Sequence, residues 1–421
     1  MLRSEVETQL REEHESEGLV FPAYEDYCFA NVPDTIQSLL DAGGRRPLPG
    51  DVFEGVETDV ERVVLVLVDG YGLDSWKRDR TGHDLLATFT ERGTVTPLTS
   101  TYPSETSAAI TTLETARLPG EHGRIGWNVY EPATDWSVVG LSGEIKADGR
   151  ADDEGEIEDG DGMEIASEVA GDTEPLYPRM AAAGVDAHRL QPFETDGEGL
   201  TQHTYDTLDT FGARLATVTE TADAPSYVYG YLPDVDTVSH GYGTDSDEFQ
   251  ATIAAVCDQL RAFLDALDPA VARETLLLVA ADHGHVDTVP AENVDLSNDE
   301  TVVGNLRRYD DGTPVKLSGS PRNVHLHLQE GTVEETRASL SHLDAKLLTR
   351  QEVLDRELFG DREPSRRFER RCGDLVVTHR DRGVWFGDVE PRELRYVGMH
   401  GGLHPSEMLV PFAAGRADRL Q

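Results

Sequence analysis

Three carboxylates stand just past apolar runs: Asp69 after VVLVLV, Asp236 after YVYGY and Asp282 after LLLVA. Two of them bring histidines, His240 four residues beyond Asp236 and His283 directly after Asp282. A further histidine, His400, lies between glycines in GMHGGLHPSE, with His404 as a rival for its role. An ionisable pair at the tip of a buried strand is costly unless something neutralises it. Asp supplies a hard oxygen and His a borderline nitrogen, and Gly284 lets the backbone turn close to an ion. Such a set serves two divalent cations; it suits zinc, with manganese or iron as alternatives. Each member has a plainer reading. An Asp after a strand can cap a helix or form a turn, and His240 and His400 can be loop residues. His285, His325 and His327 read as packing or supporting residues. The plain readings weaken together, because acid–histidine pairs at strand ends rarely line up in order by accident.

A two-cation site also needs a nucleophile. The segment TYPSETSAAITTLETARLPGEHGRIGWN, residues 101–128, offers one. Ser104 is a plausible N-cap for a helix over 104–116, with Ala108, Ala109, Ile110 and Leu113 at its small and apolar positions. Thr106 then lies in the first turn, where free N–H groups and the helix dipole favour anions. A threonine hydroxyl is a weak nucleophile until deprotonated, which metal coordination achieves. The plainer reading is that Thr106 merely caps the helix.

These residues need strands that end together. Residues 62–72, 225–231 and 275–281 read as strands buried in a parallel sheet, whose carboxyl ends share one edge. Residues 247–267 read as an amphipathic helix, with Phe249, Ile253, Val256, Leu260 and Leu264 at helical spacing. Strands alternating with helices predict an α/β fold, a three-layer α/β/α core around a mostly parallel sheet. Residues 300–390 differ, with short strands (NVHLHL, GDLVVTH, GVWFG) around a helix near 332–347, and predict a small α+β lobe inserted in the core. The expected division is an N-terminal extension, 1–60, packing on a core of 61–299 and 391–421. Within that extension, residues 1–18 read as a solvated helix or frayed tail. Residues 147–162, ADGRADDEGEIEDGDG, read as an acidic surface insertion.

The 421 residues carry 80 acidic and 37 basic side chains, a formal net charge of −43. The lysines are Lys77, Lys146, Lys316 and Lys346. A folded, acidic, lysine-poor chain suggests a halophilic protein, whose self-repulsion high salt screens. The charge argues against nucleic-acid or anionic-membrane partners. It leaves room for a small phosphate ester held by cations. Cys28, Cys257 and Cys372 are far apart and form no CxxC, so neither a thiolate zinc site nor a disulfide framework is expected. The charged start lacks the apolar stretch of a signal peptide, and no run reaches the roughly 18 apolar residues of a membrane span. A cytoplasmic protein is expected.

The ordered set Asp69, Thr106, Asp236-x3-His240, Asp282-His283 and His400-Gly401 resembles the alkaline phosphatase superfamily, and within it the type I phosphodiesterase/nucleotide pyrophosphatase branch. The T-(x)8-T spacing from Thr106 to Thr115 is similar to that superfamily's nucleophile helix, and LPGEHG matches the branch. Thr101, before Tyr-Pro, offers a rival alignment but leaves the helix five residues too long before Thr115. The usual glycine after the second threonine is Ala116 here. The resemblance covers residues 60–130, 225–290 and 396–412. It implies an alkaline-phosphatase-like core and a division of ligands. One cation takes Asp69, Asp282, His283 and the Thr106 oxygen; the other takes Asp236, His240 and His400. Asn128 is similar to an asparagine that hydrogen-bonds the transferring phosphoryl oxygen, one residue further from His122 than in the branch. The implied reaction is in-line attack by Thr106, a phospho-threonine intermediate and its hydrolysis, with one cation serving the nucleophile and the other the leaving oxygen. The expected substrate is a small phosphate ester or nucleotide, through a phosphodiester or pyrophosphate bond. The rival on the same scaffold is a phosphomonoesterase or phosphomutase, which needs an arginine clasp; Arg117, Arg124 and Arg322 are candidates. A rival of another class is a catalytically idle, metal-stabilised binding protein. Sulfatases fit less well, since they need a Cys or Ser followed by Pro-x-Arg at the nucleophile and this chain has Thr106-Ser107-Ala108.

Overall fold

The computed structural model describes residues 1–146, 174–195 and 197–421. The acidic insertion expected at 147–162 lies outside the described residues.

Seven strands form the central sheet: β1 (Arg62–Val68), β2 (Thr94–Thr99), β3 (Asp186–Gln191), β4 (Thr201–Thr204), β5 (Ser226–Leu232), β6 (Thr275–Ala280) and β7 (Leu409–Arg416). Their order is β2-β7-β6-β1-β5-β3-β4. β1 pairs in parallel with β5 and β6, while β7 runs antiparallel between β6 and β2. The unbroken V/L runs of β1 and β6 follow from this topology: strands covered on both faces are apolar on both faces. Because β7 runs backwards, its beginning lies at the same edge as the ends of β1, β5 and β6. Residues just before Leu409 therefore join those just after Val68, Leu232 and Ala280.

Four helices matter for that edge or for the packing behind it: α1 (Ser4–His14), α2 (Thr106–Thr115), α3 (Asp234–Tyr242) and α4 (Asp247–Ala266). The apolar stripe of α4 is buried at all five expected positions. α1 is not a frayed tail. Val6 and Leu10 are buried in the main core, and the backbone at Met1 and Arg3 bonds to Val95 of β2. α2 starts two residues later than expected. Glu105 occupies the N-cap, whereas the Ser104 hydroxyl donates to the Gly402 carbonyl and cannot cap.

A second, antiparallel sheet of seven short strands draws on two distant parts of the chain. Strands 345–349, 375–379, 323–326 and 319–320 continue through 128–131, 136–139 and 145–146. The expected helix near 332–347 ends at Leu340, and Ala345–Thr349 is a strand. Residues before 300 thus supply three strands of a sheet that also holds strands of 300–390. Its own apolar cluster contains Leu296, Leu306, Val324, Leu326, Leu375 and Trp385. The Arg322–Glu407 ion pair, with both side chains fully buried, ties this sheet to the segment before β7. Among the described residues, no helix is long and apolar enough to cross a membrane.

Candidate metal centre and active site

The carboxyl edge of the sheet gathers two clusters of potential ligands. Asp69, Asp282 and His283 form one; Asp236, His240, His285 and His400 form the other, each with ligand atoms within 4.8 Å of one another. The His283 and His400 rings stack at 3.8 Å between centroids, so the clusters abut.

In the first cluster, the Thr106 hydroxyl lies 3.1 Å from His283 Nε2 and 3.4 Å from Asp69 Oδ1. Thr106 opens α2, so the free N–H groups of that helix point the same way. Thr101 lies elsewhere in the preceding loop, its hydroxyl donating to the Pro103 carbonyl. Asp69 Oδ2 also accepts from the buried Tyr231 hydroxyl. Asp282 Oδ1 accepts from the Gly70 N–H at 3.2 Å, while its buried Oδ2 has no hydrogen-bond partner. An uncompensated buried carboxylate oxygen beside a second carboxylate fits the oxygen donor set of a divalent cation. Proton affinity points the same way. Burial pushes the Asp282 carboxyl up, and Asp69 adds to it. Burial would lower His283, but Asp282 and Asp69 outweigh it and raise the imidazole to about 10. A cluster that binds protons this well seeks positive charge, and a divalent ion supplies it while releasing protons.

In the second cluster, Asp236 and His240 sit one turn apart on α3, the i,i+4 spacing that faces both side chains one way. His400 arrives from the segment before β7. There Gly398–Met399 pairs with Val286–Asp287, which sets His400 beside His285. The Gly401 N–H donates to the Ser104 hydroxyl, tying this segment to the loop that carries Thr106. Burial would raise Asp236, but His240, His285 and His400 hold it well below the usual carboxylate range. His285, expected to pack or support, belongs to this group, with Nε2 3.0 Å from Asp236 Oδ1. The signal for it was its place two residues beyond His283, at the same strand tip. His404 does not join; its Nδ1 accepts from the Ser406 N–H and caps the helix Pro405–Met408. His325 lies in the second sheet and His327 just past its strand, bonded to the Gly373 N–H and the Ser318 hydroxyl respectively.

A cavity of about 240 Å³ opens onto the second cluster and onto Thr106 beside the first, lined by Thr106, Asp236, His240 and His400 together with Glu105, Trp127, Ser320 and Glu393. Neither Glu105 carboxylate oxygen has a hydrogen-bond partner, and burial pushes the group up to about 7. Burial raises Glu393 to about 7 as well. Sequence reasoning missed both acids: the signal for Glu105 was its place directly before Thr106, whereas Glu393 follows no strand and sits in no motif. Asn128 begins a strand of the second sheet and its amide lies 3.4 Å from Glu390 Oε2; the neighbouring Trp127 is the residue that lines the cavity. Arg322 is committed to Glu407, the Arg124 guanidinium donates to the Thr111 hydroxyl, and Arg117 lines a separate hollow.

The chain matches the family model of type I phosphodiesterase/nucleotide pyrophosphatase over residues 63–403. No curated protein matches it by sequence. Its fold is similar to murine ectonucleotide pyrophosphatase/phosphodiesterase 5, solved as an inactive variant in complex with AMP. The TM-score is 0.63 at 16% identity, over 84% of this chain and 88% of that one. Phosphonoacetate hydrolase from Sinorhizobium meliloti, in complex with phosphonoacetate, gives a TM-score of 0.61 at 17% identity, over 90% and 96% of the two chains. With the sheet, its strand-end acids and the family match in agreement, the chain belongs to the type I phosphodiesterase/nucleotide pyrophosphatase family, hydrolases of the alkaline phosphatase superfamily.

Proposed function

We propose that this protein hydrolyses phosphoric diesters or nucleotide pyrophosphate bonds through a phospho-threonine on Thr106, with two divalent cations held by the two clusters. The position of the Thr106 hydroxyl carries the reading: it opens a helix, borders the cavity and lies against His283 and Asp69. Asp69, Asp282, His283 and Thr106 are the ligands of one cation; Asp236, His240 and His400 are ligands of the other. The mixed oxygen and nitrogen donors suit zinc. When bound, the cations supply Lewis acidity at the nucleophile and at the leaving oxygen. The chain's own part is positional. Thr106 attacks phosphorus in line, and the ester oxygen departs from the opposite side. Water then attacks the phospho-threonine and returns Thr106. The N–H groups at the start of α2 bond the phosphoryl oxygens, as a helix N-terminus does for anions.

The walls favour a diester over a monoester. Among the described residues, no arginine or lysine lines the cavity, whereas Glu105 and Glu393 do. A dianionic monoester needs a cationic clasp, and two acids that are only partly ionised near pH 7 supply none and oppose its second charge as they ionise. Trp127 is exposed at the cavity and offers an aromatic face to a base or aryl group. Ser320 and Pro321 carry residues 300–390, the proposed small lobe, into the same wall, where they tune the choice of ester. The acidic, lysine-poor composition supports work in a salt-rich cytoplasm.

The test is Thr106→Ala assayed on a chromogenic phosphodiester beside a monoester, a nucleotide pyrophosphate and phosphonoacetate. Diester turnover should fall by about 10³-fold or more. The wild-type chain, quenched during turnover, should carry phosphate on Thr106. Undiminished turnover by Thr106→Ala removes the nucleophile, and a preference for the monoester removes the diester reading.

A further inference from the structure

His285 repeats, atom for atom, the arrangement of the two histidines expected to hold the second cation. Its Nδ1 lies 3.1 Å from the Gly70 carbonyl, so that nitrogen carries the proton. With Nδ1 so engaged, Nε2 is the ring nitrogen left to bind, 3.0 Å from Asp236 Oδ1. His240 does the same, with Nδ1 2.8 Å from the Gly398 carbonyl and Nε2 3.5 Å from Asp236 Oδ2. So does His400, with Nδ1 3.3 Å from the Ser104 carbonyl and Nε2 3.4 Å from Asp236 Oδ1. A backbone carbonyl that fixes Nδ1–H and aims Nε2 is the support that metal-bound histidines receive. Three imidazole Nε2 atoms and a carboxylate converging on one point form the nitrogen-and-oxygen donor set of a borderline divalent cation.

The ring also has a built seat. Its side chain is fully buried. Gly70 has φ +74°, and a Cβ there would lie 2.3 Å from His285 Cε1. A Cβ on Gly284 would lie 2.1 Å from the Ser406 carbonyl oxygen. Two glycines thus bring the strand-end loop close enough for His285 to reach Asp236.

We infer that His285 is a fourth protein ligand of the cation held by Asp236, His240 and His400. This rests on the two-cation reading above. Three imidazoles and one carboxylate would give a nitrogen-rich set of four donors, to which the leaving oxygen adds as a fifth, whereas Asp69, Asp282, His283 and Thr106 give a site dominated by oxygen. The two sites then differ in preference. The nitrogen-rich site takes zinc or cobalt first and holds it; the oxygen-rich site exchanges more readily and accepts manganese.

The test is titration of the metal-free full chain with Co²⁺, followed by visible absorption, with metal counted after gel filtration. Wild type should develop the intense band of four-coordinate cobalt with the first equivalent. His285→Asn keeps a donor for the Gly70 carbonyl but removes Nε2. His285→Gln keeps a donor toward Asp236 but no imidazole. Both should lose the intense band and bind the first cobalt about 100-fold or more weakly. If His285→Gln restores the wild-type band and affinity, His285 only orients Asp236 and the inference falls. It falls equally if His285→Asn matches wild type. His240→Ala separates the two readings. If it loses one ion while both His285 variants behave as wild type, the two-cation reading stands and this inference alone fails. If wild type takes up no cobalt, both fail.

Discussion

Tyr231 shows how much of the site is built by residues that touch no substrate. It stands next to last in β5 with a hydroxyl that donates to Asp69 Oδ2, and so turns the remaining lone pairs of that carboxylate toward Thr106 and His283. Burial and the nearby Asp69 raise the Tyr231 phenol well above its ordinary range, so it stays a donor. Partners of this kind set the geometry of a first ligand and are worth about 10–100-fold in metal affinity. Tyr231→Phe should therefore weaken zinc binding by about that factor, read by competition with a chromophoric chelator. An unchanged affinity would reduce Tyr231 to a packing residue. The strand-tip acids were legible in the sequence because charge at the end of an apolar run is conspicuous. Tyr231 was not, because a tyrosine in a strand reads as core until its hydroxyl is located.

At the scale of elements, α2 explains a departure from the family pattern. Its C-cap, Ala116, has φ 55° and ψ 35°, the left-handed conformation that glycine adopts freely. The family's glycine has a backbone reason at this position, and alanine carries a strain there of about 1 kcal/mol. Ala116→Gly should stabilise the protein by up to about 1 kcal/mol, the reverse of the usual sign, after the entropy that glycine adds to the unfolded chain. Urea unfolding measures it; a loss of more than about 0.5 kcal/mol would mean that the alanine methyl packs better than its backbone fits. The element boundaries set by periodicity were close for α4 and β6. They missed where capping decided the end: Ser104 turned to Gly402 and left the N-cap to Glu105. Side-chain partners that far along the chain leave no trace in local spacing.

At the scale of the molecule, a formal net charge of −43 sets the conditions under which the fold is stable. Like charges on the surface repel over a screening length of about 8 Å at 0.15 M salt and about 3 Å at 1 M. Raising KCl from 0.15 to 2 M should lift the thermal unfolding midpoint by about 5 °C or more, at roughly 1 °C per kcal/mol for a chain of this length. A midpoint that stays level or falls would separate the acidic composition from salt adaptation. The second sheet belongs to this scale too. Composition and short strands mark 300–390 as different, yet the sheet is completed by Asn128–Glu131 and its neighbours, with Asn128 paired to Gly319 far along the chain. Strand partners that distant follow from topology, which no local pattern encodes.

The sequence by itself determined the α/β class, the three strand-end acids, the paired histidines and a threonine at the head of a helix. Each is a local signal, an apolar run ended by charge or a fixed spacing. The tertiary structure decided which of the rivals meet. Thr106 rather than Thr101 faces Asp69, and His400 rather than His404 faces Asp236. It also brought His285, Glu105 and Glu393 to the site. The reason is physical: ligation and cavity walls depend on directions in space, fixed by the antiparallel turn of β7 and by the close approach at Gly70 and Gly284.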